Sequence, residues 1–527
     1  MGMDYIAEAP LPRDQLQLFP RKLDDIIPAD HPVRLLDELL ELCDISSFEQ
    51  RYDGTRGKPP YPPQVLVKIW LYALSRGIRG SRRVAYALEH HIDFIWLASG
   101  YTIGYVTLSN FRKDFGADLK LLFRQLGRIA YEAGIARINQ VTFDGTRVKA
   151  DNSRRNTLTA AGLERQIAEL DRQLGEFLQA SEQVDAADDR RMGTIEASPK
   201  IADLQQRKEA LIKARDQVAQ MDADRRARLG TKAADTPAQI PMADSDSRVL
   251  PNKEGGMAPN YTPLTAVDVD SDLILSEDVL GEANEHPALL STVEQIEADF
   301  GRSVPVVLTD GLNSTGQNIA ALEGSGTELY SPASEPAVSG PNPAARPDPT
   351  QPVPEAEWPQ LPLNGQQKLD RSCFVYDADK DLYYCPLGQT LTYEQTKPRE
   401  VSGEVLPARI YRCHDCTGCP LAKQCLASQN KHGRTMSRDE YTPHRERHAA
   451  KMAAPEARTA YQRRLHAGET PFAYIKQVMG LRQFLLQGLE RVKTEWCWAC
   501  TAYNVTKLIQ KIDQIRTRTV SAAVPQR

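Results

Sequence analysis

Residues 262–280 read TPLTAVDVDSDLILSEDVL, and residues 304–311 read VPVVLTDG. In the first stretch two apolar runs flank the turn Asp270–Asp272, the pattern of a β-hairpin. The second is a short continuous apolar run of the kind that fills buried parallel strands, and a helical pattern from about Pro287 to Phe300 leads into it. Upstream, QVTFDGTRVKA (140–150) alternates apolar and polar side chains, with Gly145 marking a turn or close approach beside Asp144. Hairpin strands, a crossover helix and a further strand make a mixed sheet flanked by helices, so the fold class is α/β. Asp144 and Asp310 then belong at neighbouring strand ends, where open sheets place their ligands.

A third carboxylate, Glu469, lies in YQRRLHAGETPFAYIK (461–476), accompanied by Tyr461, Arg464 and Lys476. Lys476 follows Glu469 by seven residues, which on a continuous helix keeps it on one face about 10 Å away. Pro471 suits a first helical turn, so the helix either begins at Thr470 or arrives from upstream and kinks. Three carboxylates within about 5 Å of one another repel by about 3 kcal/mol per pair at an effective dielectric of about 20. Divalent cations remove that cost, and magnesium, which prefers oxygen ligands and keeps its waters, suits a site shared with phosphate oxygens. Two such ions about 3.5–4 Å apart activate a water or a 3′-hydroxyl and steady the leaving oxygen, so phosphodiester chemistry needs no protein nucleophile.

This set of residues resembles the DDE transposases of bacterial insertion sequences, most closely the branch with a Cys-rich insertion before the third acid, from about Pro20 to Leu508. That branch carries Tyr, two residues, Arg, three residues, Glu, six residues and Lys around its third acid. Glu469 and Lys476 keep the six, whereas four residues separate Arg464 from Glu469. Where the family usually shows Asp, a small residue, Gly and Tyr, this chain has TDGLNSTGQN, which keeps Asp310 and changes its neighbours. The resemblance implies a ribonuclease-H-like mixed sheet with Mg²⁺ or Mn²⁺ on Asp144, Asp310 and Glu469. Asp144 would bridge two ions, and Asp310 and Glu469 would each complete one. It implies a transposase that binds the terminal repeats of its own element, hydrolyses phosphodiesters there and transfers the strands. Tyr461, Arg464 and Lys476 would contact DNA. The implied partners are double-stranded DNA, as element ends and target, and further copies of the chain in a homo-oligomer.

At 527 residues and 41% hydrophobic side chains, the chain has material for about two to four domains. The formal net charge of −5 looks unfavourable for nucleic acid, but the charge is segregated. Between Arg51 and His90 stand Arg51, Arg56, Lys58, Lys68, Arg76, Arg79, Arg82 and Arg83 against Asp53 and Glu89. From Lys397 onward bases outnumber acids about two to one. Two surfaces can therefore neutralise phosphates. The start, MGMDYIAEAPLPRDQ, lacks a basic segment followed by an apolar one, and no run approaches a membrane span, so the expected location is cytoplasmic with no membrane partner. Nine cysteines in a reducing compartment are then thiols or metal ligands rather than disulfides.

Residues 1–135 read as helices interrupted at Gly77, Gly80 and Gly100, with PVRLLDELLELC placing Val33, Leu36, Leu39, Leu40 and Cys43 on one face. Arg79, Arg82 and Arg83 at the breaks suit a helix-turn-helix-like DNA-binding domain. Segments 136–156 and 231–330 make the first part of the sheet domain. Between them, residues 157–230 repeat Leu163, Ile167, Leu170, Leu174 and Phe177, then Leu204, Leu211 and Val218, as a helical-hairpin insertion that serves as an arm or dimer contact. Residues 331–366 are proline-rich and read as an extended linker. Residues 441–515 read as the helices bearing the third acid, and 516–527 as a tail.

Residues 367–440 hold Cys385 and the run CHDCTGCPLAKQC, with Cys413, Cys416, Cys419 and Cys425. The Cys416 to Cys419 spacing is one that tetrahedral thiolate sites use. The family pattern selects Cys385, Cys416, Cys419 and Cys425, with Cys413 or His414 as a substitute, for a structural Zn²⁺ at about 2.3 Å per thiolate. Its task would be to fold a small zinc module with little core of its own. Cys43, Cys373, Cys497 and Cys500 read as isolated or core-facing, the last two beside Trp496.

Asp246 and Asp268 rank behind the three acids, and Asn284 and His286 lie in a following loop able to approach the site. Two rivals remain in view. An inactive or domesticated copy would keep the fold and bind DNA without cutting it. A zinc-dependent transcriptional regulator, built on the N-terminal helices and the Cys module, predicts that amide variants of Asp144, Asp310 and Glu469 keep full function.

Overall fold

The computed structural model describes residues 22–51, 60–153, 156–188, 199–229, 237–252, 255–333, 342–401, 404–427 and 432–523. At its centre the strands Ile274–Leu280, Met257–Asp268, Val141–Gly145, Val306–Thr309 and Glu328–Tyr330 lie side by side. Met257–Asp268 runs antiparallel to both its neighbours, and the last two strands run parallel to Val141–Gly145. Val148–Lys149 and Arg248–Pro251 extend the sheet along Met257–Asp268. The order fits the expected ribonuclease-H-like sheet. The hairpin turn falls where the sequence places it, with Asp272 taking the left-handed backbone that closes it, at φ 61°.

Alternation along a strand divides its side chains between two faces. Val141 and Phe143 join Leu264 and Ala266 under the crossover helix Ala288–Phe300 and the helix Gly316–Ser325. Thr142 and Asp144 point to the other face, which the helix Pro455–Gln477 covers. That division puts one acid of the central strand on the side where the C-terminal helix arrives.

The N-terminal helices do not form a body with a core of its own. Pro32–Glu41, Pro63–Ser75, Tyr105–Asp114 and Gly116–Glu132 pack around the C-terminal helix Leu489–Ala523, and one apolar cluster runs from Val33 through Trp70 and Phe111 to Trp496 and Trp498. The core thus continues past residue 135. Its indoles satisfy their donors on backbone, Trp70 Nε1 on Leu108 O at 3.1 Å and Trp498 Nε1 on Arg112 O at 3.2 Å. Truncating either ring to alanine would cost about 3–5 kcal/mol.

The insertion is the expected helical pair, Ala160–Asp188 and Pro199–Leu229, with Leu163, Leu170, Leu211 and Val218 buried between them. The loop expected around residues 189–198 lies outside the described residues. A ribbon of Thr157–Thr159 against Gln239–Pro241 closes its base.

Two expectations are corrected further on. The Cys-rich segment carries an antiparallel sheet of Val375–Asp377, Leu382–Tyr384, Thr390–Val401, Glu404–Arg412 and Thr435–Arg438, with Phe374, Tyr383, Leu391, Tyr411 and Met436 in its own core. A metal is therefore not its sole means of folding. The proline-rich stretch is expected to run free over the surface, and its residues 342–366 instead pack on that sheet. Ala344, Val353 and Leu361 are buried there, and the Arg346 guanidinium donates to the carbonyls of Pro349 and Cys385. Proline here excludes regular hydrogen bonding without excluding burial.

Candidate active site

Thr309 pairs with Phe143 in parallel register. Asp310 and Asp144 each follow by one residue, so both emerge at the C-terminal ends of adjacent strands. Asp310 caps the short turn Gly311–Asn313: its Oδ1 accepts from Leu312 N at 3.0 Å, Asn313 N at 3.3 Å and Asn313 Nδ2 at 2.9 Å. All three bonds fall on one oxygen. The residues that depart from the family pattern after Asp310 therefore orient its carboxylate.

The helix Pro455–Gln477 runs unbroken through Pro471, which decides between the two alternatives the sequence leaves open. Pro471 cannot donate to the Ala467 carbonyl, and Thr470 Oγ1 donates to the His466 carbonyl at 2.5 Å. Because the helix is continuous, Arg464 and Gly468 share a face one turn apart. Gly468 meets the acid strand: a Cβ there would stand 3.1 Å from Thr142 Oγ1 and 3.5 Å from Asp144 Oδ2. Arg464 Nη2 pairs with Asp144 Oδ2 at 3.1 Å. Glu469, the next residue, is exposed, and Tyr461 is half-buried. Lys476 Nζ reaches the end of the acid strand, donating to Thr146 Oγ1 at 2.5 Å and Arg147 O at 2.8 Å.

Around Asp144 the donors are oxygens. Its cross-strand partner is Thr265, and Thr142 precedes it by two on the same face. Both hydroxyls are buried without a hydrogen-bond partner in the structure. Oxygen donors of this kind fit a hard divalent cation. As the side chains stand, no three His, Cys, Asp or Glu among the described residues are close enough to hold a metal ion together.

One acid beside this pair escapes the sequence reading. Glu285 lies between Asn284 and His286, both weighed above, in the loop after the strand Ile274–Leu280. Its side chain is 12% exposed and pairs with Arg147 Nη1 at 3.2 Å. Burial pushes its carboxyl up to about 7, against the pull of Arg147 and with the charges of Asp144 and Asp310 adding to the rise. Its place in a polar loop just past a strand end carries no periodic signal in the sequence.

The secondary acids are structural. Asp268 is buried and accepts from the Ile138 and Ser271 backbone N–H groups and the Ser271 hydroxyl. Asp246 Oδ2 accepts from Leu489 N at 2.9 Å, and Asp244 Oδ1 from Gly488 N at 3.1 Å, so both serve the start of the C-terminal helix. Asn284 is exposed, and burial lowers the pKa of His286.

The basic zone shrinks on folding. Arg79, expected to bind DNA, spends its guanidinium on the Gly480 and Gln483 carbonyls and on Glu495, which is 4% exposed. Lys68 is buried against Asp37 and Glu41. Arg56 and Lys58 lie outside the described residues. Arg82 and Arg83 remain exposed on the helix Ser81–His90, Arg82 with its guanidinium 5.2 Å from the Tyr105 ring. Together with Ser109, Asn110 and Lys113 of the helix Tyr105–Asp114 they line an open groove of about 500 Å³. Its basic wall suits a phosphate backbone.

Cys385, Cys413, Cys416, Cys419 and Cys425 line one cavity of about 200 Å³. Burial pushes the Cys413 and Cys425 thiols up to about 12. The expected tetrahedral site is not assembled among them as placed. Cys497 and Cys500 are buried beside Trp496, as expected.

Residues 384–509 match a family described as "Transposase DDE domain", and residues 21–114 match "Transposase domain (DUF772)". The first segment contains Glu469, Lys476 and the five clustered cysteines; Asp144, Glu285 and Asp310 lie outside both. No curated protein matches the chain significantly. Among the described residues no helix is long and apolar enough to cross a membrane.

Proposed function

We propose that this chain, a DDE-type transposase of an insertion element by its two matched segments, binds the terminal repeats of its own element and cuts and joins phosphodiesters at Asp144, Asp310 and Glu469. The observation that supports this most is the parallel register bringing Asp144 and Asp310 to neighbouring strand ends beneath the helix that carries Glu469. These three carboxylates would hold Mg²⁺ or Mn²⁺, which activates water or a DNA 3′-hydroxyl and stabilises the leaving oxygen. Arg464 orients Asp144. Lys476, anchored at the end of the acid strand, and Tyr461 on the same helix flank the phosphate being cut. The groove of Arg82, Arg83 and Lys113 holds the duplex through its backbone. Cys385, Cys416, Cys419 and Cys425 line one cavity and would hold a structural Zn²⁺ once their thiolates turn toward a common point, since as placed they assemble no metal site. The chain acts as an oligomer on two DNA ends.

One observation favours the second reading, an inactive or domesticated DNA-binding copy: Arg464 already neutralises Asp144, and Glu469 stands exposed. Cleavage of a labelled duplex bearing the element's end, with Mg²⁺, separates the two. Nicking at a defined position by the wild type, lost in an Asp144→Asn variant that still binds, supports the transposase. Binding without nicking by either protein supports the inactive copy.

A further inference from the structure

We propose that Glu285 supplies a further carboxylate to the cation held at Asp144 and Asp310, entering the site past Gly145 from the opposite face of the sheet. This rests on the reading of Asp144 and Asp310 as cation-holding acids.

Three observations converge on it. The first is steric. Gly145 directly follows Asp144, and a Cβ built on it would lie 2.3 Å from Glu285 Cδ and within 2.5 Å of both carboxylate oxygens. No side chain fits there while Glu285 keeps its place, so the bare glycine is what admits the carboxylate to the strand end. The second is electrostatic. The charges of Asp144 and Asp310 both bear on Glu285, although as the side chains stand the three acids do not close on one ion. A carboxylate that is 12% exposed and acted on by two further negative charges is unfavourable without positive charge, and Arg147 supplies part of it. The third concerns the surroundings. Thr142 and Thr265 flank Asp144 with hydroxyls that are buried and lack a hydrogen-bond partner. Folding leaves such oxygens unsatisfied only at some cost, and a cation with its water shell at the strand end gives them partners.

In the structure each of two carboxylates has a guanidinium beside it, Arg464 on Asp144 and Arg147 on Glu285. Both acids reach one ion only by turning away from these guanidinium groups. Glu469, exposed on the covering helix, would complete the shell from the solvent side, and Glu285 from the buried side.

The test is Mn²⁺ binding by the full chain without DNA, followed by calorimetry, for the wild type, Asp144→Asn, Glu285→Gln and Gly145→Ala. Glutamine keeps the volume of Glu285 and a hydrogen bond to Arg147, whereas Gly145→Ala keeps every carboxylate and displaces one. Glu285→Gln and Gly145→Ala are expected to weaken Mn²⁺ binding at least about tenfold, Glu285→Gln with a metal-free melting temperature near that of the wild type and Gly145→Ala with a lower one, since it displaces Glu285 from Arg147. If Asp144→Asn loses the ion while Glu285→Gln binds within twofold of the wild type, the inference is overturned and the acid pair stands. If the wild type binds no Mn²⁺, or Asp144→Asn binds it equally, the acid pair itself fails and takes Glu285 with it.

Discussion

Arg464 Nη2 stands 3.1 Å from Asp144 Oδ2, with the two side chains only 12% and 13% exposed. The guanidinium occupies the place where a divalent ion would otherwise bring positive charge to the strand end. Removing it strips a cation from a nearly buried carboxylate, and breaking such a pair costs about 3 kcal/mol or more. Arg464→Ala is expected to melt lower than the wild type by that amount in chelator. Millimolar Mg²⁺ should then raise its melting temperature more than it raises that of the wild type. Equal shifts in the two proteins would show that arginine and ion do not share a place.

Asp310 has two tasks that one substitution separates. Its Oδ1 caps the turn Gly311–Asn313, and asparagine caps about as well as aspartate. Asp310→Asn should therefore hold stability within about 0.5 kcal/mol while end cleavage falls at least about a hundredfold. Melting curves and a nicking assay on one preparation decide it. An Asp310→Asn protein that still cuts DNA would leave Asp310 as a cap alone.

Two arginines four residues apart should behave in opposite ways. Arg79 is locked to Glu495 and two backbone carbonyls, whereas Arg83 projects from the groove wall. Arg79→Ala is expected to destabilise by about 3–5 kcal/mol because it leaves Glu495 buried beside no partner of equal reach. Arg83→Ala should leave the melting temperature unchanged, weaken duplex binding across sequences and reduce the slope of log K against log salt by about one. A variant of Arg83 with unaltered salt dependence would remove it from the interface.

The difference between those arginines marks where sequence reading stops. The hairpin at residues 262–280, the strand ending in Asp310 and the leucine seam of the insertion were legible because they depend on local period and turn chemistry. The destination of Arg79 was not, since its partner lies more than four hundred positions away, across a core that only assembly creates. The extra residue between Arg464 and Glu469 was legible as a departure in spacing, whereas Gly468 as the point where helix meets strand was not. Glu285 was hidden because a lone glutamate in a polar loop carries no periodic signal. The sheet beneath the cysteines went unread for a related reason: the strands Thr390–Val401 and Glu404–Arg412 are rich in charge, and Ala344, Val353 and Leu361 of the proline-rich segment add to a core of scattered residues such as Leu391 and Tyr411.

That core changes what chelation should do. Tyr383, Tyr411 and Leu391 give the Cys-rich module apolar support of its own, so loss of a bound zinc should loosen it rather than unfold it as it does a classical zinc finger. One zinc per chain is expected in the purified protein, falling away in a Cys416→Ser, Cys419→Ser double variant that retains most of its far-ultraviolet circular dichroism. Elemental analysis that finds no zinc in the wild type would leave the thiols as lining of their shared cavity alone.

A pH dependence follows from His448, which is 4% exposed on the helix Thr442–Ala453. Its Nε2 lies 3.0 Å from the Ser331 carbonyl, so the neutral ring donates there. Burial holds its pKa below the ordinary 6.5, outweighing the Ser331 bond that favours the charged form, and Lys451 adds to the lowering. Below pH 6.5 the unfolded chain therefore binds a proton that the folded chain resists. The contribution is complete above that value and is lost as pH falls through the folded pKa. Replacing His448 by Gln keeps a donor toward Ser331 and removes the proton site, so the decline in melting temperature on acidification should become shallower than in the wild type. Parallel curves for the two proteins across this range would place the acid sensitivity elsewhere.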